Sequence, residues 1–196
     1  YPNLQALFRQ LDVTPAPSDM SSSVQAPGAG RRGGPLEWSG SDLSTVFAQR
    51  ANLGNLRFWR MLADIVRFNR LATRLAERGD DLGEGSPLLQ PLGDFLHQHR
   101  FSDEFRDWYF LPMLGCIWSC PTDQMLRFPV ATMVRFCHNH GLIQVTNRPQ
   151  WYTVAGGACQ YVQKIVARIP DARLNRLVHQ VLRDEAGVRI VSDGAV

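Results

Sequence analysis

Lysine is almost absent from this chain of 196 residues: Lys164 is the only one among 21 basic residues, and the rest are arginine. GC-rich coding accounts for such a bias before any binding role does. The formal net charge is only +3, too small to imply a nucleic-acid partner, and none is expected. The chain has no C-x-x-C pair. Its four cysteines, Cys116, Cys120, Cys137 and Cys159, support neither a zinc ribbon nor a redox motif. Reduced, mostly buried thiols in a cytoplasmic protein are expected. No apolar run approaches the ~20 residues of a membrane span. G-x-S-x-G, Walker and H-E-x-x-H motifs are missing as well. No internal repeat is found. What is present is a 44% hydrophobic composition, enough for a folded core and too much for a disordered chain.

Turn and period signals give a coarse order. Leu4, Leu7, Phe8 and Leu11 are spaced as one helix face, and Pro15 and Pro17 end that helix. Met20–Gln25 and Leu36–Trp38 read as the two strands of a hairpin around a Gly/Pro/Arg-rich tip. Asp42 is an N-cap candidate for a helix to about Arg50. A long helix follows over Leu56–Glu77, with Phe58, Leu62, Ile65, Ala72 and Leu75 on its apolar face. Gly79–Pro91 is a break, and Leu92–Arg100 a short helix. Ser102-Asp-Glu opens another helix, apolar nearly all round from Trp108 to Trp118, in which Pro112 should force a kink. Pro121 and Pro129 suit first helical turns, and Gly141 suits a helix C-terminus. Leu142–Val145, Trp151–Val154, Leu174–Leu182 and Val188–Val191 are strand candidates.

Several motifs weaken on inspection. Gly28-Ala-Gly-Arg-Arg-Gly33 spells the dinucleotide fingerprint, but Pro27 stands where a strand should end and Gly34-Pro35 where a helix should begin. It reads as a hairpin tip. His138 and His140 are two apart on a helix and so cannot easily share a metal ion, and the same holds for His97 and His99. No metal site is expected; a helix cap and loop anchor is the preferred reading of His138 and His140. Asp80-Asp81-Leu-Gly-Glu84 lacks the ligand ladder of an EF-hand. Arg57, Arg60, Arg67, Arg70 and Arg74 lie opposite the apolar face of the long helix. A solvated face is the preferred reading; an anionic membrane or nucleic acid is the lesser one. Asp64 and Glu77 dilute the stripe.

The most informative stretch is Arg148-Pro-Gln-Trp-Tyr-Thr-Val-Ala-Gly-Gly-Ala-Cys-Gln-Tyr161, an aromatic run that meets paired glycines ahead of a helix-like segment. With Tyr1-Pro-Asn-Leu, Leu36-Glu-Trp-Ser-Gly40, Phe58-Trp-Arg-Met-Leu62, Ile117-Trp-Ser-Cys-Pro-Thr122 and Phe136-Cys-His-Asn-His-Gly-Leu142, it resembles the middle of bacterial NAD/FAD-binding proteins of the flavin amine oxidase type. The resemblance implies an α+β fold: a mainly helical cap over 41–141, a small mixed or antiparallel sheet from 20–38 and 142–196, and an N-terminal helix and hairpin over 1–40. It implies FAD as the cofactor of the parent protein, with Gly156, Gly157 and Val178 at the cofactor. It places Gln150, six residues before Gly156, in the substrate cavity, with Trp151 beside it and His138 and His140 near the substrate region. It assigns no catalytic residue. The pyrophosphate loop and the C-terminal flavin cover of that family are not in these residues, so the chain is expected to be an excised middle section that alone binds no FAD measurably. An FAD-dependent oxidation of an amine or other activated C–H is the implied activity. A lipid-type desaturase or isomerase of the same architecture, and a basic interaction module without redox role, are the alternatives. Trp108, Tyr109, Phe110 and Trp118 are the residues that would suit a lipid-like substrate.

Overall fold

The computed structural model describes residues 1–77, 86–144 and 149–193. Along the chain run α1 (Pro2–Gln10), β1 (Pro15–Ser18), β2 (Ser23–Ala26), β3 (Leu36–Ser39), α2 (Leu43–Val46), α3 (Leu56–Glu77), α4 (Leu92–Gln98), α5 (Asp103–Phe105), α6 (Leu111–Trp118), α7 (Thr122–Met125), α8 (Val130–Asn139), β4 (Trp151–Val154), α9 (Cys159–Val166), β5 (Val178–Asp184) and β6 (Gly187–Ser192). Helices predominate, and the strands form three separate antiparallel pairs, β1–β4, β2–β3 and β5–β6. The class is α+β. The expected single sheet from 20–38 and 142–196 is not formed: β2 and β3 pair only with each other, and β4 pairs with β1. The chain divides into two compact units, 19–150 and 1–18 with 151–196.

The larger unit is organised by α3. Phe58 and Met61 near its start join Leu36 and Trp38 of β3 and Trp108 in one core cluster. Phe68 and Ala72, two turns further, join α4, α6 and α8 through Leu92, Phe95, Leu114, Val130 and Val134 in the other. The buried face therefore centres on Phe58, Met61, Phe68 and Ala72, while Leu62, Ile65 and Leu75 are only half-buried. Asp42 caps α2 as expected: its carboxylate accepts from Ser44 N at 2.7 Å and Thr45 N at 2.9 Å, and the Thr45 hydroxyl accepts from Asp42 N. The helix stops after four residues and does not reach Arg50. Ser44, Thr45 and Val46 are weak helix formers, and Gln49 and Asn52 are drawn to the outer edge of β3. There the Gln49 side chain accepts from Glu37 N and donates to Pro35 O, and the Asn52 amide donates to Glu37 O. These side chains satisfy an edge that would otherwise be open.

Ahead of Pro112 the hydrogen-bond pattern of the helix changes, while φ and ψ stay helical at Phe110 and Leu111. Arg106–Phe110 is a π-helical turn, and α6 restarts at Leu111. Pro112 has no N–H for the carbonyl of Trp108 four residues earlier. The Trp38 indole donates to that carbonyl at 3.1 Å, tying the hairpin to the helix. Ser102 caps α5 by accepting from Phe105 N. Gly141 closes α8 in a Schellman arrangement: Leu142 N reaches Cys137 O at 2.9 Å, Gly141 N reaches His138 O at 3.0 Å, and the Gly141 φ is +65°. That turn carries Leu142–Gln144, so the strand expected from Leu142 does not form over those residues; Val145 lies outside the described residues. The expectation of mostly buried thiols also fails. Only Cys137 is buried, while Cys116 and Cys159 are exposed on the outer side of α6 and the first turn of α9.

In the smaller unit the prolines expected only to break a helix build β1. α1 ends at Gln10, and Pro15 and Pro17 then pair with Val154 and Tyr152. A strand with a free edge tolerates residues that lack an N–H. Phe8 of α1 meets Tyr161 of α9, with ring centroids 5.5 Å apart. Lys164 and Arg168, one turn apart, donate to Asp12 O and Gln10 O. Arg168 thus satisfies the last carbonyl of α1 and the only lysine one just beyond it, where cations are favoured. In the last hairpin, Asp184 accepts from Ala186 N and Gly187 N to form the turn. Its first strand begins at Val178 and not at Leu174, because Asn175 at φ +56° turns the chain.

Candidate functional site

The strand–Gly-Gly–helix element is formed. β4 ends at Val154, Gly156 and Gly157 follow at φ +78° and +88°, and α9 starts at Cys159. Both glycines occupy backbone that L-residues adopt only with strain. Gly157 N donates to Val154 O at 2.9 Å and Gln160 N to Gly157 O at 3.1 Å, closing the turn. A Cβ on Gly156 would meet the Gln160 side chain at 3.2 Å, whereas one on Gly157 would have only Cys159 Sγ nearby, at 3.9 Å. Gly157 is therefore bare backbone open to close approach. The first turn of α9 has no acidic residue and no side-chain cap.

The other expected site residues are spread over both units. Val178 opens β5 opposite Ser192 and is exposed. Trp151 opens β4 opposite Ser18 and is half-buried, and Gln150 before it is exposed. Arg148 lies outside the described residues. His138 and His140 end α8. The His140 ring lies on Phe136, 4.0 Å between centroids at 21°, and its Nδ1 is 2.8 Å from Phe136 O. That ring is folded back on its own helix. Among the described residues, no group of three His, Cys, Asp or Glu side chains could hold a metal ion. Nor is any helix among them long and apolar enough to cross a membrane. Of the four aromatics read as suiting a lipid-like substrate, Trp108 and Phe110 are buried in the core, and the Trp118 ring meets that of Phe136 at a tilt of 51°, 4.4 Å between centroids.

A polar network on α3 was not anticipated. Asp64 does not dilute the arginine stripe, because it is turned inward and only 8% exposed. It accepts from Ser102 N at 2.9 Å, from Ser102 Oγ at 2.6 Å and from Arg67 at 2.9 Å. Glu104, also 8% exposed, accepts from Arg57 Nε at 2.6 Å. Burial raises the Glu104 pKa, but the Arg57 hydrogen bond and charge, helped by Arg60, outweigh it and hold the carboxyl below the usual glutamate range. Both guanidiniums lie over rings: Arg57 is 4.8 Å from the centroid of Trp108, and Arg67 is 4.2 Å from that of Phe101. The available signal was Asp64 at the margin of the apolar face. No family model matches the chain, and no curated protein sequence matches it significantly.

Proposed function

We propose that the chain is the substrate-domain section of an FAD-dependent oxidoreductase of the amine oxidase type. The observation that supports this reading is the element β4–Gly156-Gly157–α9, whose backbone is bare and left-handed at both glycines. It is the arrangement that the resemblance of Arg148–Tyr161 implies. A bulky ring system can approach Gly157 because little stands where its side chain would be. Gly156, Gly157 and the backbone of Val178 are the groups that would hold the cofactor. Bound flavin would accept a hydride equivalent from a C–H beside an amine or another activated carbon.

The chain's own share is positioning and the exclusion of water. The Gln150 amide can both donate and accept, and so can orient a polar substrate group. Trp151, its neighbour in an extended segment, points to the opposite face. His138 and His140 close the helix end beside which the substrate would lie. No general base is assigned to any residue here. A lipid-like substrate in place of an amine belongs to the same reading.

The test is purification of the full product of the gene that encodes these residues. A flavin absorption spectrum, bleached anaerobically by an oxidisable amine or lipid-like substrate, is expected. A colourless product that takes up no FAD would overturn the assignment. Gln150→Ala should then lower turnover more than it lowers stability.

A further inference from the structure

The outward face of α3 combines two kinds of side chain that water alone does not favour together. Leu56 is 85% exposed, Trp59 45% and Val66 41%. Arg60, Arg67, Arg70 and Arg74 are exposed alongside them. From Leu56 to Arg74 the only carboxylate is Asp64, and it faces inward to Ser102 and Arg67. The outward face over this span is therefore purely cationic and apolar. Among the described residues, no carboxylate forms an ion pair with Arg60, Arg70 or Arg74.

The apolar part is built, not scattered. The Trp59 indole donates to Leu53 O at 3.0 Å, and its ring lies 5.3 Å from that of Phe47. This holds an otherwise mobile side chain upright at the start of the helix. Leu53, 50% exposed, adjoins it through that bond, and Leu43, 79% exposed, lies one turn before Phe47. Leu53, Leu56 and Trp59 are thus exposed apolar side chains at one end of α3, and such clusters mark interaction surfaces. A helix of 22 residues presents this face along roughly 33 Å.

We propose that this face docks on an anionic lipid surface. Leu53, Leu56 and Trp59 enter the headgroup–acyl boundary, and Arg60, Arg70 and Arg74 meet the lipid phosphates and carboxylates. Charge selects an anionic partner. The aliphatic leucines select lipid over nucleic acid, since they cannot stack on bases as aromatic platforms do, whereas Leu and Trp beside Arg suit a membrane interface. The inference is independent of the flavin reading.

Sedimentation with vesicles tests it. The chain is expected to pellet with phosphatidylcholine vesicles that contain ~30% phosphatidylserine, to lose binding as salt rises, and to ignore pure phosphatidylcholine. Arg60→Gln, Arg70→Gln and Arg74→Gln should each weaken binding about fivefold. Leu53→Ser with Leu56→Ser should weaken it more than tenfold, with an unchanged far-UV spectrum, because Leu56 lies in water and Leu53 is half exposed. A shift of tryptophan emission to shorter wavelength on binding, reduced in Trp59→Phe, is the second readout. Absent binding, equal binding to neutral vesicles, or anionic binding indifferent to the leucine pair would overturn the proposal. Tighter binding to a single-stranded oligonucleotide than to the vesicles would replace it with a nucleic-acid surface.

Discussion

Arg57 sits at a boundary where its removal can be costed. Its side chain is 63% exposed, while that of its partner Glu104 is 9% exposed. Arg57→Met keeps an apolar stem over Trp108 and deletes the charge. Breaking a fully buried ion pair costs about 3–5 kcal/mol, because the remaining charge is left uncompensated. An exposed pair contributes under about 1 kcal/mol. Arg57 stands in water, so screening moves the value well below the buried limit. Adding roughly 0.5–1 kcal/mol for the lost contact with Trp108, the expected loss near neutral pH is about 2 kcal/mol.

The pH dependence separates this from a packing defect. In the parent chain the Glu104 pKa is held below its ordinary 4.5. A depressed folded pKa stabilises above the unfolded value, and that stability is lost as pH falls through the folded one. In Arg57→Met both Arg57 contributions are gone and burial, the largest single influence, draws the folded pKa of Glu104 upward. The ionised carboxylate then contributes less stability at neutral pH, and protonation on acidification costs less. The gap between the two proteins is expected to be widest near pH 7 and to close as pH falls below about 4.5. Urea unfolding followed by circular dichroism at a series of pH values measures it, and Glu104→Gln in both backgrounds should remove the pH-dependent part. A gap that is constant from neutral pH to about pH 4, or smaller than about 0.5 kcal/mol at neutral pH, would refute the reasoning.

Three further outcomes are expected. Trp38→Phe strips the donor from the Trp108 carbonyl and should cost about 1–3 kcal/mol; in a Pro112→Ala background, where a backbone N–H returns, urea melts should show a smaller penalty. Gly157→Ala, at φ +88°, should lower stability by about 1–2 kcal/mol through backbone strain alone, read as a drop in melting temperature with no change in helix content. Cys116 and Cys159 should react rapidly with an aromatic disulfide reagent at mildly alkaline pH. Cys137, whose thiol burial pushes up to about 12, should react only after denaturation.

Local chemistry was the legible part of the sequence. The Asp42 and Ser102 caps, the Gly141 terminus, the altered hydrogen bonding before α6 and the bounds of α3 each follow from a few adjacent residues with a stated geometric preference. So do the hairpin β2–β3 and the start of α9. What was not legible depended on distant partners. Nothing near Pro15 says that a strand 136 positions away, at Trp151, will accept two prolines on its edge. Nothing near Val46 says that Gln49 and Asn52 will leave a helix to serve the edge of β3. Of the candidate site, the turn at Gly156-Gly157 was readable because positive φ restricts residue type. Gln150, His138 and Val178 carry no such mark, and their roles rest on resemblance.

The arginine bias also needs the structure to acquire meaning. Counted together, the basic residues leave a net charge of +3, which distinguishes little. Sorted by what they touch, they fall into separate groups. Lys164 and Arg168 satisfy carbonyls at the end of α1. Arg57 holds the buried carboxylate of Glu104 on α5, and Arg67 that of Asp64 on its own helix, so their conservative replacement by lysine would lose a planar donor fork and a ring contact while keeping the charge. Among the described residues Arg60 and Arg70 have none of these partners, Arg74 donates only to the Arg70 carbonyl of its own helix, and all three fall on the face that carries Leu56 and Trp59. Each arginine that serves the fold has an identifiable carbonyl or carboxylate. The face that Arg60, Arg70 and Arg74 share with exposed Leu56 and Trp59 is what points to a partner outside the chain.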